Sequence, residues 1–271
     1  MSLLNTYLLS PAVNILLFYQ SFHKFLYLSF FYHLNQIVFS YNSNHIEGSR
    51  LTKEQTRHIY ETNSFFSEKD GEEIKINDVI ETRNHFKAFD FISEKNHEPI
   101  TQDFLKELHR ILKNGTSDDV IGDYKKIANY IGDFSTAKPK QVAQEIERLV
   151  SEYTIKTNID IKEIIDFHYK FERIHPFEDG NGRIGRLIMF KECLKNGITP
   201  FIIDVEHQAF YYRGLKNYEN QKGFLIDTCL SCQDEYEAIL KDYIDGASID
   251  LNEAYSTLEK VVSWFGTKID G

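Results

Sequence analysis

The stretch His175-Pro-Phe-Glu-Asp-Gly-Asn-Gly-Arg-Ile-Gly-Arg186 sets an imidazole, two carboxylates, an Asn between two glycines and two guanidiniums within twelve residues. Gly180 and Gly182 flank Asn181, and glycine accepts positive φ and close ligand approach, so this backbone can turn its N–H groups toward one point as an anion nest. From Arg183 to Leu194 the residues read as a mostly buried helix. The nest then lies at a helix N-terminus, where unpaired N–H groups and the helix dipole favour phosphate. Arg183 and Arg186 are three apart, share a face of the first turn, and can grip more than one phosphate oxygen. Asp179, beside this positive charge, suits a Mg²⁺ shared with phosphate oxygens. His175, with an ordinary pKa of about 6.5, suits a general base.

Working outward, the chain is mostly helical. Asp160-Ile-Lys-Glu163 is a capping box opening a helix whose apolar positions Ile164, Ile165, Phe167 and Phe171 run into His175. Gln141 to Tyr153 is another helix. Between Gly122 and Lys140 the rhythm breaks: Tyr124, Ile127, Tyr130 and Ile131 with Gly132-Asp133 suggest two short strands, a β-hairpin. Further upstream, apolar spacing predicts helices over Thr101–Lys113 and Asp78–Ser93, and Ser67–Ile76 reads as an exposed turn. Thr52-Lys-Glu-Gln55 is a capping-box start for a helix to about Thr62. Tyr41 to Arg50 is a helix end, with Ser43 and Glu47 four apart and Gly48 as its stop. Downstream, Gln208–Lys216, Gly223–Leu240 and Leu251–Phe265 read as helices. The expected fold is all-α, mainly a helical bundle, with a small β-hairpin flap.

At 271 residues, 42% apolar and 27% charged, the chain has enough apolar material for one main domain. A net charge of −10 argues against general affinity for nucleic acid. Three cysteines, Cys193, Cys229 and Cys232, fit a reducing compartment, which we take as cytoplasmic, and Cys229-Leu-Ser-Cys232 reads as a structural pair. Residues 1–46 hold a single charged residue, Lys24, yet Asn5, Asn14, Gln20, His23, Asn35 and Gln36 interrupt the apolar positions. No run approaches the roughly 18 apolar residues of a membrane span, so buried helices are expected there instead. The organisation expected is an apolar helical segment over 1–40, a main domain over 41–235 and a helical extension over 236–271.

The opening stretch resembles the signature of Fic domains, His-x-Phe-x-Asp/Glu-Gly-Asn-Gly-Arg-x-x-Arg, and matches it at every fixed position. Phe104-Leu-Lys-Glu-Leu-His109, Gly122-Asp-Tyr-Lys125 and Phe167-His-x-x-Phe171 are similar to further parts of that family, over about residues 41–235. The resemblance implies transfer of AMP from ATP to a Ser, Thr or Tyr hydroxyl of a target protein and of the chain itself. His175 is the implied base and Asp179 the implied Mg²⁺ ligand. Gly180, Asn181, Gly182 and Arg183 form the implied anion hole and phosphate support, and Arg186 holds the γ-phosphate. Phe177, grouped with these, looks like a core anchor fixing the loop. Tyr211 and Tyr212 resemble paired tyrosines on the adenine side. The hairpin, about 122–140, is the implied flap on which a target peptide adds as a strand.

Ser43-Asn-His-Ile-Glu-Gly48 resembles the inhibitory motif, Ser/Thr-x-x-x-Glu-Gly/Asn, that accompanies such domains. That likeness implies that Glu47 pairs with Arg186 and occupies the γ-phosphate position. Alternatives stay open: removal of AMP with Glu47 aligning water, a donor carrying UMP, phosphocholine or a terminal phosphate, and a silent nucleotide-responsive binding module. The oligomer is left open, a homodimer included.

Overall fold

The computed structural model describes residues 31–67, 73–131 and 134–247. The chain divides into two units. One is Asn35–Ala238, which carries the nest and everything discussed below. The other, Met1–Leu34 with Ile239–Gly271, falls mostly outside the described residues, as does the helix expected over Leu251–Phe265.

The order of elements is α1 over 31–46, α2 Lys53–Thr62, α3 Ile76–Glu94, α4 Gln102–Lys113, β1 Tyr130–Ile131, β2 Phe134–Ser135, α5 Pro139–Thr154, α6 Ile161–Ile174, α7 Asn181–Lys195, α8 Gln208–Asn217 and α9 Gly223–Ala247. The local chemistry explains several starts. Thr52 and Gln55 close a reciprocal capping box before α2. Thr101 caps α4 by accepting from the Phe104 N–H at 3.0 Å, and Asp160 caps α6 by accepting from the Glu163 N–H at 2.9 Å. Pro139 opens α5 at a position where its missing N–H costs nothing.

The hairpin is smaller than expected. Only Tyr130 pairs with Ser135 and Ile131 with Phe134, antiparallel, while Tyr124 and Ile127 lie outside strands. The reason is that the segment's polar groups bond to the motif loop instead of to a ladder. The Lys125 N–H donates to the Pro176 carbonyl at 2.9 Å. The buried Lys125 ammonium holds Asn129 Oδ1 (2.6 Å), Thr136 Oγ1 (2.7 Å) and the Ile174 carbonyl (3.2 Å). The expected flap range also overruns the start of α5, which Pro139 sets.

At the centre stands α7, buried at every residue from Asn181 to Cys193. It packs on α6, α3 and α4, and α3 packs on α4. A helix enclosed on all faces must be apolar or have its charged side chains paired, and α7 does the second through Arg183, Arg186, Lys191 and Glu192. The three thiols are free and buried, and burial pushes Cys232 up to about 12, so the pair on α9 is structural packing. No helix among the described residues is long and apolar enough to cross a membrane.

Candidate active site

Helix α6 ends on His175, which takes a left-handed conformation at φ 51° and gives its N–H to the Phe171 carbonyl at 2.9 Å. That conformation costs a non-glycine residue about 1–2 kcal/mol, so the surroundings must impose it. Phe177 does much of this. It is fully buried, stacks on His109 with ring centroids 4.1 Å apart, and its carbonyl accepts from Asn129 Nδ2 at 2.8 Å. Phe177 is therefore buried beneath the loop and does not line the cleft.

Gly180 turns the chain at φ 82° into α7, whose first residue is Asn181, two residues earlier than the sequence suggested. The first intrahelical bond is given by Ile184 to the Gly180 carbonyl at 3.0 Å, leaving the N–H groups of 181–183 in the unpaired first turn. The Asn181 side chain reaches back instead. Its Oδ1 accepts from the Phe177 N–H and its Nδ2 donates to the Phe177 carbonyl, both at 2.9 Å. Asn181 thus shapes the nest through its amide while the backbone supplies the anion donors.

The two arginines do not form one grip. Arg183, 3% exposed, pairs with Glu81, donates to Asp179 Oδ2 at 2.8 Å and reaches Asn44 at 3.4 Å. Beside it the buried Lys113 ammonium pairs with Glu81, with Asp118 at 2.8 Å and with Asp179 at 2.6 Å. Burial alone would raise the Asp179 carboxyl, but Arg183 and Lys113 outweigh it and hold that group far below the usual range. Arg186, 2% exposed, turns the other way. Its Nε donates to Ser43 Oγ at 3.0 Å, and its Nη2 donates to the Ser43 carbonyl at 2.9 Å and to Glu47 Oε1 at 2.8 Å. Burial opposes its charge, and Glu47 more than restores it. The two side chains leave the same turn toward different acidic partners, so the expected joint hold on phosphate is absent in this state.

Glu47 sits where only a glycine allows it: a side-chain carbon on Gly182 would collide with Glu47 Oε1. Gly48 then ends the turn at φ 92°. A cleft of about 490 Å³ opens here, lined by Glu47, His175, Gly182, Arg186, Tyr211 and Tyr212, with Tyr130 and Ile131 of the hairpin beside them. That volume is in the range of small-molecule sites. Tyr211 is buried and its hydroxyl meets His168 Nε2 at 2.8 Å, while Tyr212 donates to the Ile46 carbonyl at 3.0 Å. Asp179, Asn181 and Arg183 do not line the cleft.

His175 Nδ1 lies 3.3 Å from the Glu172 carbonyl, which can only accept, so the ring proton belongs on Nδ1 and Nε2 is the free base. Burial pulls the imidazole down to about 4, with Lys125 adding to the effect against that hydrogen bond, so it is neutral at pH 7. For a magnesium ion the donor chemistry fits: Asp179 is a half-exposed carboxylate held in its ionised form. Two cations already neutralise it. Sequence reasoning missed Glu81, Lys113, Asp118 and Glu172; His109 and Lys125 stood in quoted motifs, with no hint that the one stacks under the loop and the other ties the hairpin segment to it.

Residues 99–193 match the model of the Fic/DOC family. Protein adenylyltransferase fic-1 of Caenorhabditis elegans is 30% identical over 183 residues, 66% of this chain and 35% of the relative. Protein adenylyltransferase Fic of Drosophila melanogaster is 31% identical over 179 residues, 65% of this chain and 36% of the relative. The chain spans about a third of the length of these curated relatives. A crystal structure of a Fic domain containing signaling protein from Bacteroides thetaiotaomicron has a TM-score of 0.63 at 25% identity, covering 85% of this chain and 87% of that one. A fragment of Fic-1 from C. elegans has a TM-score of 0.66 at 23% identity, covering 78% and 64%, a likeness of fold.

Proposed function

Since the chain carries a Fic domain, we propose that it is a protein adenylyltransferase, moving AMP from ATP to a Ser, Thr or Tyr hydroxyl of a target protein and of itself, restrained by Glu47. The observation that carries this reading is the cleft in which a neutral His175, the first turn of α7 at Gly182 and the Arg186 guanidinium face one space with Glu47 among them.

In this reading His175 Nε2 takes the proton of the target hydroxyl, the hydroxyl oxygen bonds to the α-phosphorus, and the bond to the β-phosphate oxygen breaks, releasing pyrophosphate. The first-turn N–H groups of α7 stabilise charge on the transferred phosphoryl oxygens. Arg186, freed of Glu47, holds the γ-phosphate, and Arg183 acts through Asp179. Tyr211 and Tyr212 border the base of the nucleotide. Mg²⁺, held by Asp179, would offset charge on the phosphates. A target segment pairs with the hairpin at Tyr130 and Ile131, which line the cleft beside His175. The main domain over 41–235 is the catalytic unit, with 1–40 and 236–271 as flanking segments, and three free thiols suit a cytoplasmic setting.

Glu47 and His175 lining one cleft also favours a second reading, removal of AMP with Glu47 orienting a water. Incubation of the Glu47→Gly protein with labelled ATP and Mg²⁺ tests the first: label must enter the chain and must vanish with His175→Ala added. Label released from a pre-modified target by the unaltered protein alone decides for the second.

A further inference from the structure

Four enclosed polar atoms around the first turn of α7 have no hydrogen-bond partner among the described residues: Glu172 Oε1, His168 Nδ1, Arg183 Nε and Arg186 Nη1. Glu172 stands in the last turn of α6, three residues before His175, and is 7% exposed. It approaches the imidazole twice at the same atom. Its carbonyl accepts from Nδ1 at 3.3 Å, and its carboxyl Oε2 lies 3.7 Å from that nitrogen. Gly185 makes the room: a side-chain carbon there would lie 2.9 Å from Glu172 Oε1 and 2.6 Å from His168 Nδ1.

We propose that the Glu172 side chain is a positioning residue for His175, its carboxyl set beside the Nδ1–H that its carbonyl fixes and linking the imidazole electrostatically to the Glu47–Arg186 pair. The kinetic part of this inference rests on the adenylyltransferase reading; the geometric part does not.

The charges that face Glu172 come from three helices. Glu47 stands just past the end of α1, Arg186 on α7, and the Tyr211 and Tyr212 hydroxyls on α8, with His168 and His175 on its own helix or its cap. With Glu47 in place, its carboxylate bonds to Arg186 at 2.8 Å while the buried Glu172 feels both charges, and both carboxyls ionise only at a cost. Burial first, and Glu47 second, push the Glu172 carboxyl up to about 8 against the pull of Arg186. Glu172 is then the protonated member. Once Glu47 leaves, one raising cause is gone and Arg186 keeps Glu172 as its remaining carboxylate neighbour. That change moves Glu172 toward ionisation beside Nδ1–H, and a carboxylate at that position strengthens Nε2 as a base and steadies the imidazolium that forms. Departure of Glu47 thus both clears the phosphate position and improves the base.

The test compares Glu172→Gln and Glu172→Asp, each in the Glu47→Gly chain, with that parent. Histidine NMR titration without nucleotide is expected to show the His175 midpoint about one pH unit lower in Glu172→Gln, and restored in part by Asp. With ATP and Mg²⁺, Glu172→Gln is expected to lower kcat for self-modification about tenfold or more while KM for ATP stays within about twofold. An unchanged His175 midpoint in Glu172→Gln overturns the proposal. If the parent itself transfers no AMP, the adenylyltransferase reading falls, and the NMR comparison still decides the role of Glu172.

Discussion

Arg186 and Glu47, 139 residues apart in sequence, meet through a hydrogen-bonded ion pair of 2.8 Å between Nη2 and Oε1, with Ser43 accepting two further bonds from the same guanidinium. A buried guanidinium needs partners for its donors, and here α1 supplies them before any phosphate does. Glu47→Gly is therefore expected to raise self-modification by about tenfold or more, the range a charge-assisted bidentate site commands when its competitor is removed. Label incorporation from ATP measures it. Equal incorporation with and without Glu47 would sink the restraint.

The same contact can be checked with no reference to activity. Alanine at position 182 places a carbon against Glu47 Oε1 and 3.0 Å from Arg186 Nη1. Gly182→Ala alone is expected to destabilise by about 1–3 kcal/mol, the usual cost of overpacking. In Glu47→Gly the clash is gone, and alanine in a helix is worth up to about 1 kcal/mol over glycine, so the cost should vanish or reverse. Urea unfolding of the four proteins gives the coupling; additive effects would place Glu47 elsewhere.

Phe177 carries the loop's shape. Fully buried against His109 and tied to Asn181 and Asn129, it cannot be truncated without a cavity under the imidazole. Phe177→Ala is expected to cost about 3–5 kcal/mol. Thermal melting reads the loss, and a drop below about 1 kcal/mol would mean that the loop holds its form by other contacts.

Much of this was legible before any coordinates. Capping residues at Thr52 and Asp160 marked helix starts because their effect is local, and the glycines around Asn181 marked the turn into α7 for the same reason. What stayed hidden was long-range. Lys113 read as the last residue of an amphipathic helix, yet it sits between Glu81 and Asp179, 32 and 66 residues away. The spacing of Arg183 and Arg186 put them on one turn correctly and said nothing about the acidic groups that draw them apart. The hairpin shrank because Lys125 bonds to the motif loop, a choice that no strand pattern records. Glu172 gave no signal in the sequence, since periodicity does not show that Gly185 opposite leaves a hole for it.

Buried neutral histidines set the acid limit. Burial pulls His85 and His168 down to about 3, helped by Arg186 in both and by Arg183 at His85, and it pulls His109 down to about 4 despite its bond to the Asp179 carbonyl. An unfolded histidine takes up its proton near pH 6.5, so below that pH the unfolded chain binds more protons than the folded one. Their contribution to stability is whole above about 6.5 and is lost as pH falls toward 3 to 4. Glu172 has the opposite sign: its folded value of about 8 favours the native state at low pH, and that contribution is lost as pH rises from about 4.5 through 8. At pH 5 Glu172 retains nearly all of its share, while each of the three histidines has lost on the order of 2 kcal/mol. The urea midpoint is therefore expected to fall from pH 7 to pH 5. His85 is the cleanest probe, because neither of its ring nitrogens has a hydrogen-bond partner among the described residues. An apolar replacement there loses no bond, so His85→Leu should flatten the pH dependence by about a third while leaving the pH 7 midpoint little changed. A midpoint that holds steady between pH 7 and pH 5 in the unaltered protein would show that these rings charge without unfolding it.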